Sequence, residues 1–204
     1  MSSDFLEIFL GSDGRARLVK FFILNPVTKI SVQELKEKLR IDERTIKREL
    51  ESLTKIGLVS RRKSLSKLVF SLEKNNLFYP EIKKMVNKCT IFPQLKSLDR
   101  IAKAGHVKLV LITGVLANNL KTRADVLVVG DAISKRRLSE VLKELEAEIG
   151  KELRFATLSL EEYNYRLNMY DKFIREFFEG PHKIIFNRLG EKGIPVLHRK
   201  DNNR

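Results

Sequence analysis

The residues with the clearest chemistry lie in two short basic clusters. The run Asp42-Glu43-Arg44-Thr45-Ile46-Lys47-Arg48 places three cations and a threonine where helical spacing exposes them together. Arg44 can pair bidentately with guanine O6 and N7, and Thr45 can meet a thymine methyl group. Lys47 and Arg48 can act in the same way, or can contact phosphates, which position a protein without reading sequence. The second cluster, Arg61, Arg62 and Lys63 with Lys67, suits an adjacent backbone or minor groove. Residues 36 to 67 carry eleven Lys and Arg against five Asp and Glu, a local charge of +6. One such residue is an ordinary solvated cation; a basic helix beside a basic turn is the pattern of a DNA surface.

A second candidate constellation is Gly114, Arg123 and Asp125, with Asp131 after Gly130. Asp125 can cap a turn, pair with Arg123 or bind a metal. Asp131 reads as a helix N-cap or a turn residue. His106, His182 and His198 are too scattered for metal-ligand spacing, which points to structural or surface roles. Cys89 is the only cysteine and reads as a small buried hydrophobe. Tyr163, Tyr165, Tyr170, Phe173, Phe177 and Phe178 could stack bases, but helical spacing fits a core or dimer face better. Phe173 and Phe177, four apart, are the best core pair.

The elements that position these groups can be read along the chain. Gly11-Ser12-Asp13-Gly14 reads as a turn, followed by a helix from Arg15 to Leu24 that stops at Asn25-Pro26. Ser31-Val32-Gln33-Glu34 matches a capping box. Asp42 caps the next helix, Ile41 and Ile46 suit a hydrophobic staple, and Gly57 suits the residue just past its end. Two short strands, Leu58–Ser60 and Lys67–Leu72, enclose a basic tip at 61–66. Helices are expected near Glu81–Lys88 and Pro93–Ala104. Strands are expected at Val107–Ile112, Asp125–Val129 and Leu153–Leu158. A helix ending at Gly150 precedes the last of these strands, and a helical stretch from Glu161 to Phe178, broken near Asp171, follows it. The class is therefore α+β, with a domain over 1–78, an α/β domain over 79–192 and a polar tail at 193–204.

The 204 residues carry a net charge of +14, which favours a polyanionic partner. Of this, +8 lies beyond residue 75, which keeps RNA open as a partner. No apolar run reaches the roughly 18–20 residues of a membrane span, and the first residues lack a basic signal-peptide start. A single thiol fits a reducing cytoplasm.

Residues 12–75 resemble winged-helix regulators of the arsenical-resistance-repressor type. The resemblance rests on Ser31-Val32-Gln33-Glu34-Leu35, on Asp42 through Leu50, and on the wing entry Leu53-Thr54-Lys55-Ile56-Gly57-Leu58-Val59. It implies double-stranded DNA as partner, a recognition helix starting at Asp42, and a homodimer on a two-fold site. No Cys/His cluster accompanies it, so metal sensing is not expected.

Residues 95–180 resemble the minimal nucleotidyltransferases, through Leu109–Val115 and Arg123–Asp131. That family holds phosphates on a Gly-Ser turn and magnesium on an Asp-x-Asp pair plus a third acid. Here Gly114 matches, Val115 replaces the serine, Arg123 stands in the first acidic position, and only Asp125 remains. Leu153–Leu158 supplies no carboxylate, and one acid cannot build a two-metal site. The resemblance therefore implies a vestigial nucleotide site at Gly114, Arg123 and Asp125 with no catalysis, metal or cofactor. The domain would then serve dimerisation, ligand or partner binding. The leading expectation is a cytoplasmic DNA-binding transcriptional regulator. The alternatives are an active nucleotidyltransferase targeted by a winged helix, or an RNA-binding protein.

Overall fold

The computed structural model describes residues 5–64, 67–91, 93, 96–119, 122–190 and 193–195. Leu65 and Ser66 of the expected tip lie outside these residues, as do Met1 to Asp4 and the end of the tail with His198. The fold is mixed α and β. It divides into two compact units, Met1–Leu95 with Leu142–Glu152, and Lys96–Val141 with Leu153–Arg204.

The first unit opens with α1 (Phe5–Leu10) and α2 (Asp13–Leu24), then α3 (Val32–Leu39) and α4 (Glu43–Lys55). An antiparallel hairpin of β1 (Val59–Ser64) and β2 (Lys67–Leu72) follows, then α5 (Tyr79–Thr90). The polar residues at the helix starts explain the boundaries. Gly11, at φ +70°, turns the chain, and Ser12 Oγ accepts the Arg15 amide at 3.3 Å. The expected turn at 11–14 is therefore partly the first turn of α2, two residues ahead of the predicted start. Ser31 and Glu34 form the full capping box of α3. Asp42 Oδ1 accepts the Thr45 amide at 2.9 Å, and Gly57 at φ +69° follows the last turn of α4.

Caps are worth about 1 kcal/mol each, whereas a fully buried Leu or Ile contributes roughly 1.5–3. Packing therefore sets the stability of α4, and its cap sets where it begins. Ile46, Leu50 and Leu53 are all buried in one core with Phe22, Leu35, Leu39 and Val59. The hairpin is tied down by Ile30, which exchanges backbone hydrogen bonds with Phe70 at 3.0 and 2.8 Å. α5 was expected in the second domain, but its Val86 belongs to this same core, and the unit runs to Leu95.

The second unit holds α6 (Lys96–Ile101), β3 (His106–Ile112), β4 (Val126–Asp131), the first turns of α7 (Lys135–Ile149) and β5 (Phe155–Leu158). It ends with α8 (Leu160–Asn168), α9 (Lys172–Glu179) and β6 (Lys183–Asn187). The rest of α7, from Leu142, belongs to the first unit. Strand order is β5-β4-β3-β6, with β4–β5 parallel and the other two pairs antiparallel. Leu109–Ile112 of β3 and Val126–Val129 of β4 read as unbroken apolar runs because both faces of these central strands are buried there. Asp171 caps α9 where a break was expected.

Two features depart from expectation. β6 was not predicted, although Ile184-Ile185-Phe186 after Gly180-Pro181 is a short strand signal. The polar tail also starts later than Gly193. Ile194 packs on the core, and the Gly193 carbonyl accepts the buried Tyr163 hydroxyl at 2.7 Å. Burial pushes that phenol up to about 12.

Gly14 marks the closest approach of α2 to α4. A Cβ there would sit 2.7 Å from Thr45 Cγ2. Gly14→Ala is expected to lower stability by about 1 kcal/mol, the overpacking cost exceeding the gain in helix propensity. Urea unfolding monitored by circular dichroism measures it; an unchanged or raised midpoint contradicts the packing described.

Candidate nucleic-acid interface

On α4 the buried stripe forces the other face outward. Arg44, Lys47 and Arg48 are exposed at spacings of three and four. Lys47 pairs with Glu43 one turn earlier at 2.5 Å, an exposed contact worth a few tenths of a kcal/mol that a phosphate can displace. Among the described residues Arg44 has no ion-pair partner. Thr45 departs from the sequence expectation. Its methyl faces Gly14, its amide binds Asp42 at 2.9 Å, and hydrogen bonding with Thr45 holds the Asp42 carboxyl below its ordinary range. Thr45 is half-buried at the helix start, less open to a base than Arg44, Lys47 and Arg48.

Arg48 leads to a residue that sequence reading missed. Glu49 is buried, and its carboxylate collects Arg15 Nε at 2.8 Å, Arg48 Nη2 at 3.0 Å and Ser12 Oγ at 3.2 Å. Burial alone would push this carboxyl up, but the hydrogen bonds from Arg15, Arg48 and Ser12 carry it below the usual range. The network fixes the α2 start against α4 and engages the Arg48 guanidinium, whose side chain is still 66% exposed. The signal lay in helical spacing, since Glu49 falls on the stripe of Ile46, Leu50 and Leu53.

The basic residues of the hairpin are in a strand, not at a loop tip. Arg61, Arg62 and Lys63 pair with Phe70, Val69 and Leu68, and Ser64 pairs with Lys67. Strand alternation puts Arg61 and Lys63 on one face and Arg62 on the other with Lys67; all four are exposed. A strand keeps its side chains out of the core in this way only where the hairpin extends beyond it.

In the second unit the expected vestigial site is closed. Asp125 is 1% exposed. It accepts the Val115 amide at 2.9 Å, the Arg154 amide at 2.8 Å and the Arg154 guanidinium at 3.3 Å. Its ion-pair partner is thus Arg154, not Arg123, which turns to Glu176 at 3.5 Å. A Cβ on Gly114, at φ +59°, would overlap Asp125 Oδ1, so the glycine admits the carboxylate and not a phosphate. The turn after β3 is a single 3-10 segment, Gly114–Ala117, with no helix long enough to cradle a triphosphate. Asp131 does not cap α7, whose cap is Ser134; it accepts the Leu160 amide at the start of α8.

The remaining candidates scatter. Tyr163, Phe177 and Phe178 are buried, Phe173 packs edge-on against Phe177 at 5.1 Å, and Tyr165 and Tyr170 are exposed. His182 Nδ1 binds the Gly180 carbonyl, and His106 is exposed. Cys89 is half-buried against the first unit's core, where burial pushes its thiol up. Among the described residues no group of three His, Cys, Asp or Glu could hold a metal, and no helix is long and apolar enough to cross a membrane.

Comparison with protein-family models, curated proteins and solved structures finds no match.

Two substitutions test these assignments. Because the Glu49 carboxyl is held low in the fold, its stabilisation is present above the ordinary glutamate value of 4.5 and lost as pH falls through the lowered value. Glu49→Gln should lower stability at pH 7 by about 1–3 kcal/mol and flatten the acid side of the stability–pH curve below about pH 4.5. Equal acid slopes in both proteins would remove Glu49 from this role. Asp125→Ala should destabilise by about 2–3 kcal/mol, since two backbone amides lose their acceptor. Denaturant midpoints read this directly, and a near-neutral result would mean the carboxylate is not what closes the turn.

Proposed function

We propose that this protein is a DNA-binding transcriptional regulator whose first unit is a winged helix. The observation that carries the reading is the basic face of α4, Arg44, Lys47 and Arg48, in a chain order of three helices and a hairpin whose exposed strand residues are also basic. In that fold the second helix of the helix-turn-helix enters the major groove, and the wing runs along the backbone beside it. Arg44 is the first choice for a base contact. Lys47, Arg48, Arg61, Arg62, Lys63 and Lys67 supply phosphate contacts, which set affinity and salt dependence. Double-stranded DNA is the partner, and a homodimer suits a two-fold site.

The second unit is proposed as a nucleotidyltransferase-like domain without catalysis. What supports this is that Asp125 has its oxygens occupied by the Val115 and Arg154 donors and Gly114 is packed against it. A metal-binding carboxylate needs those oxygens free. The unit is left to hold the dimer or bind a ligand or partner in the cytoplasm.

Gel-shift titration over a series of salt concentrations tests the assignment. Arg44→Ala with Lys47→Ala and Arg48→Ala should weaken binding to the selected site at least tenfold, with each lost phosphate contact lowering the salt slope by about 0.9. Unaltered affinity for selected DNA would overturn the assigned face. Preference for structured RNA over duplex at matched salt would overturn the DNA reading.

A further inference from the structure

The second unit concentrates basic side chains at one end of its sheet, the end opposite Asp125 and Gly114. Topology forces the grouping. β3 begins there at His106, antiparallel β4 ends there at Asp131, and antiparallel β6 runs out there to Asn187. α7 starts a few residues beyond β4, and the turn after α6 joins the same rim. The contacts are close: Ser134 donates its amide to the Ala104 carbonyl at 2.9 Å, and a Cβ on Gly105 would lie 2.5 Å from the Ala132 carbonyl oxygen. On the other side of β3 the Arg188 amide binds the Lys108 carbonyl at 2.7 Å.

Three separate segments therefore bring cations to this rim. Lys103 comes from the turn before β3, Lys135, Arg136 and Arg137 from the start of α7, and Arg188 from just past the end of β6; all five are exposed. Arg136 is 90% exposed in side chain, and its pairing with Glu140 is a surface contact. Arg188 lies over the Phe186 ring at 5.1 Å, which orients its guanidinium without neutralising it. The acids nearby are as many as the lysines and arginines but partly engaged: Asp131 accepts the Leu160 amide, and Glu162 pairs with Arg166. Glu161 and Asp99 are the other neighbours.

The arrangement runs against the stability of α7. Its first turn has three cations and no acid, and its last turn has no cation, the reverse of what its dipole favours. An external polyanion over the helix start would offset that cost.

We propose that this rim is a second nucleic-acid surface that binds the phosphate backbone of duplex DNA without reading its sequence. The exposed rim cations are flanked by Ala132 and Ile133 and carry no large exposed apolar side chain, so the surface suits a phosphate backbone better than a bilayer, which also needs apolar insertion. Arginine supplies three of the five cations, as bidentate phosphate contacts favour. The choice of duplex DNA rests on the function proposed above; the phosphate-binding rim does not.

The test uses the full chain and a non-specific 30-base-pair duplex, titrated between low and moderate salt. A rim variant, Lys135→Gln with Arg136→Gln, Arg137→Gln and Arg188→Gln, is compared with the α4 triple-alanine variant. Near-ultraviolet circular dichroism and thermal midpoint establish that each is folded; should the quadruple fail this check, Arg136→Gln with Arg137→Gln on the exposed helix start takes its place. The rim variant is expected to lose about tenfold or more in affinity for any duplex, and its log K against log salt slope should fall by about 2–3. Its preference for a selected site over random sequence should be unchanged. Unchanged affinity and slope overturn the rim. Loss in the rim variant with no loss in the α4 variant keeps the rim and overturns the α4 assignment. Two further results overturn the rim's partner: tighter retention of structured RNA than of duplex, or binding to vesicles with 20% phosphatidylserine that the rim variant abolishes.

Discussion

A carboxylate taken out of water must be surrounded by donors, because leaving it unpaired costs several kcal/mol. Each unit is organised around one such group. Glu49 draws Ser12, Arg15 and Arg48 onto a single point, so α2 and α4 meet in one register. Asp125 draws Val115, Arg154 and, through a glycine that leaves room for it, the turn after β3. The geometry around each follows from satisfying it. The α4 face then points outward because the inner side is already committed to Glu49 and the apolar stripe, while the corner of the sheet at Gly114 closes because the carboxylate fills it.

The same constraint has opposite consequences for function. At Glu49 the buried charge holds one edge of the Arg48 guanidinium while that side chain stays largely in solvent, so an exposed cation is oriented by the core beneath it. At Asp125 the buried charge takes up the donors that a nucleotide's phosphates would need. A two-metal site requires carboxylates whose oxygens face a cavity; here both oxygens face amides and a guanidinium. Arg123, which swings out to Glu176, adds nothing to the corner.

Much of the fold was legible where the signal is local. Ser31 with Glu34, Asp42 with Thr45, and Gly57 each act within one turn, so residue type and spacing suffice. The apolar runs of β3 and β4 were equally plain, since central strands need no alternation. What was not legible depended on partners far along the chain. The Glu49 network joins residues more than thirty positions apart, and α5 joins the first core through Val86 with no boundary signal to say so. Of the readings open for Asp125, capping a turn agrees with its bond from the Val115 amide, whereas its ion-pair partner is not the neighbour Arg123 but Arg154, from the segment leading into β5. β6 was passed over because three apolar residues at a sheet edge give too short a pattern.

Thr45 shows how far residue type can mislead about a site. A threonine early in such a helix matches what contacts a thymine methyl, and its exposure on a helical wheel agrees. Yet Gly14 allows α2 to come so near that the methyl is used in packing, and the amide completes the Asp42 cap. Base contacts from this face must then come from the longer side chains, Arg44 above all, which extend beyond the cap. The helix start is thereby divided between two tasks: Asp42 and Thr45 hold it in place, and the arginines and lysine do the reaching. A short polar residue near the N-terminus of a helix is closest to the orphan amides, so satisfying them comes before any outside partner.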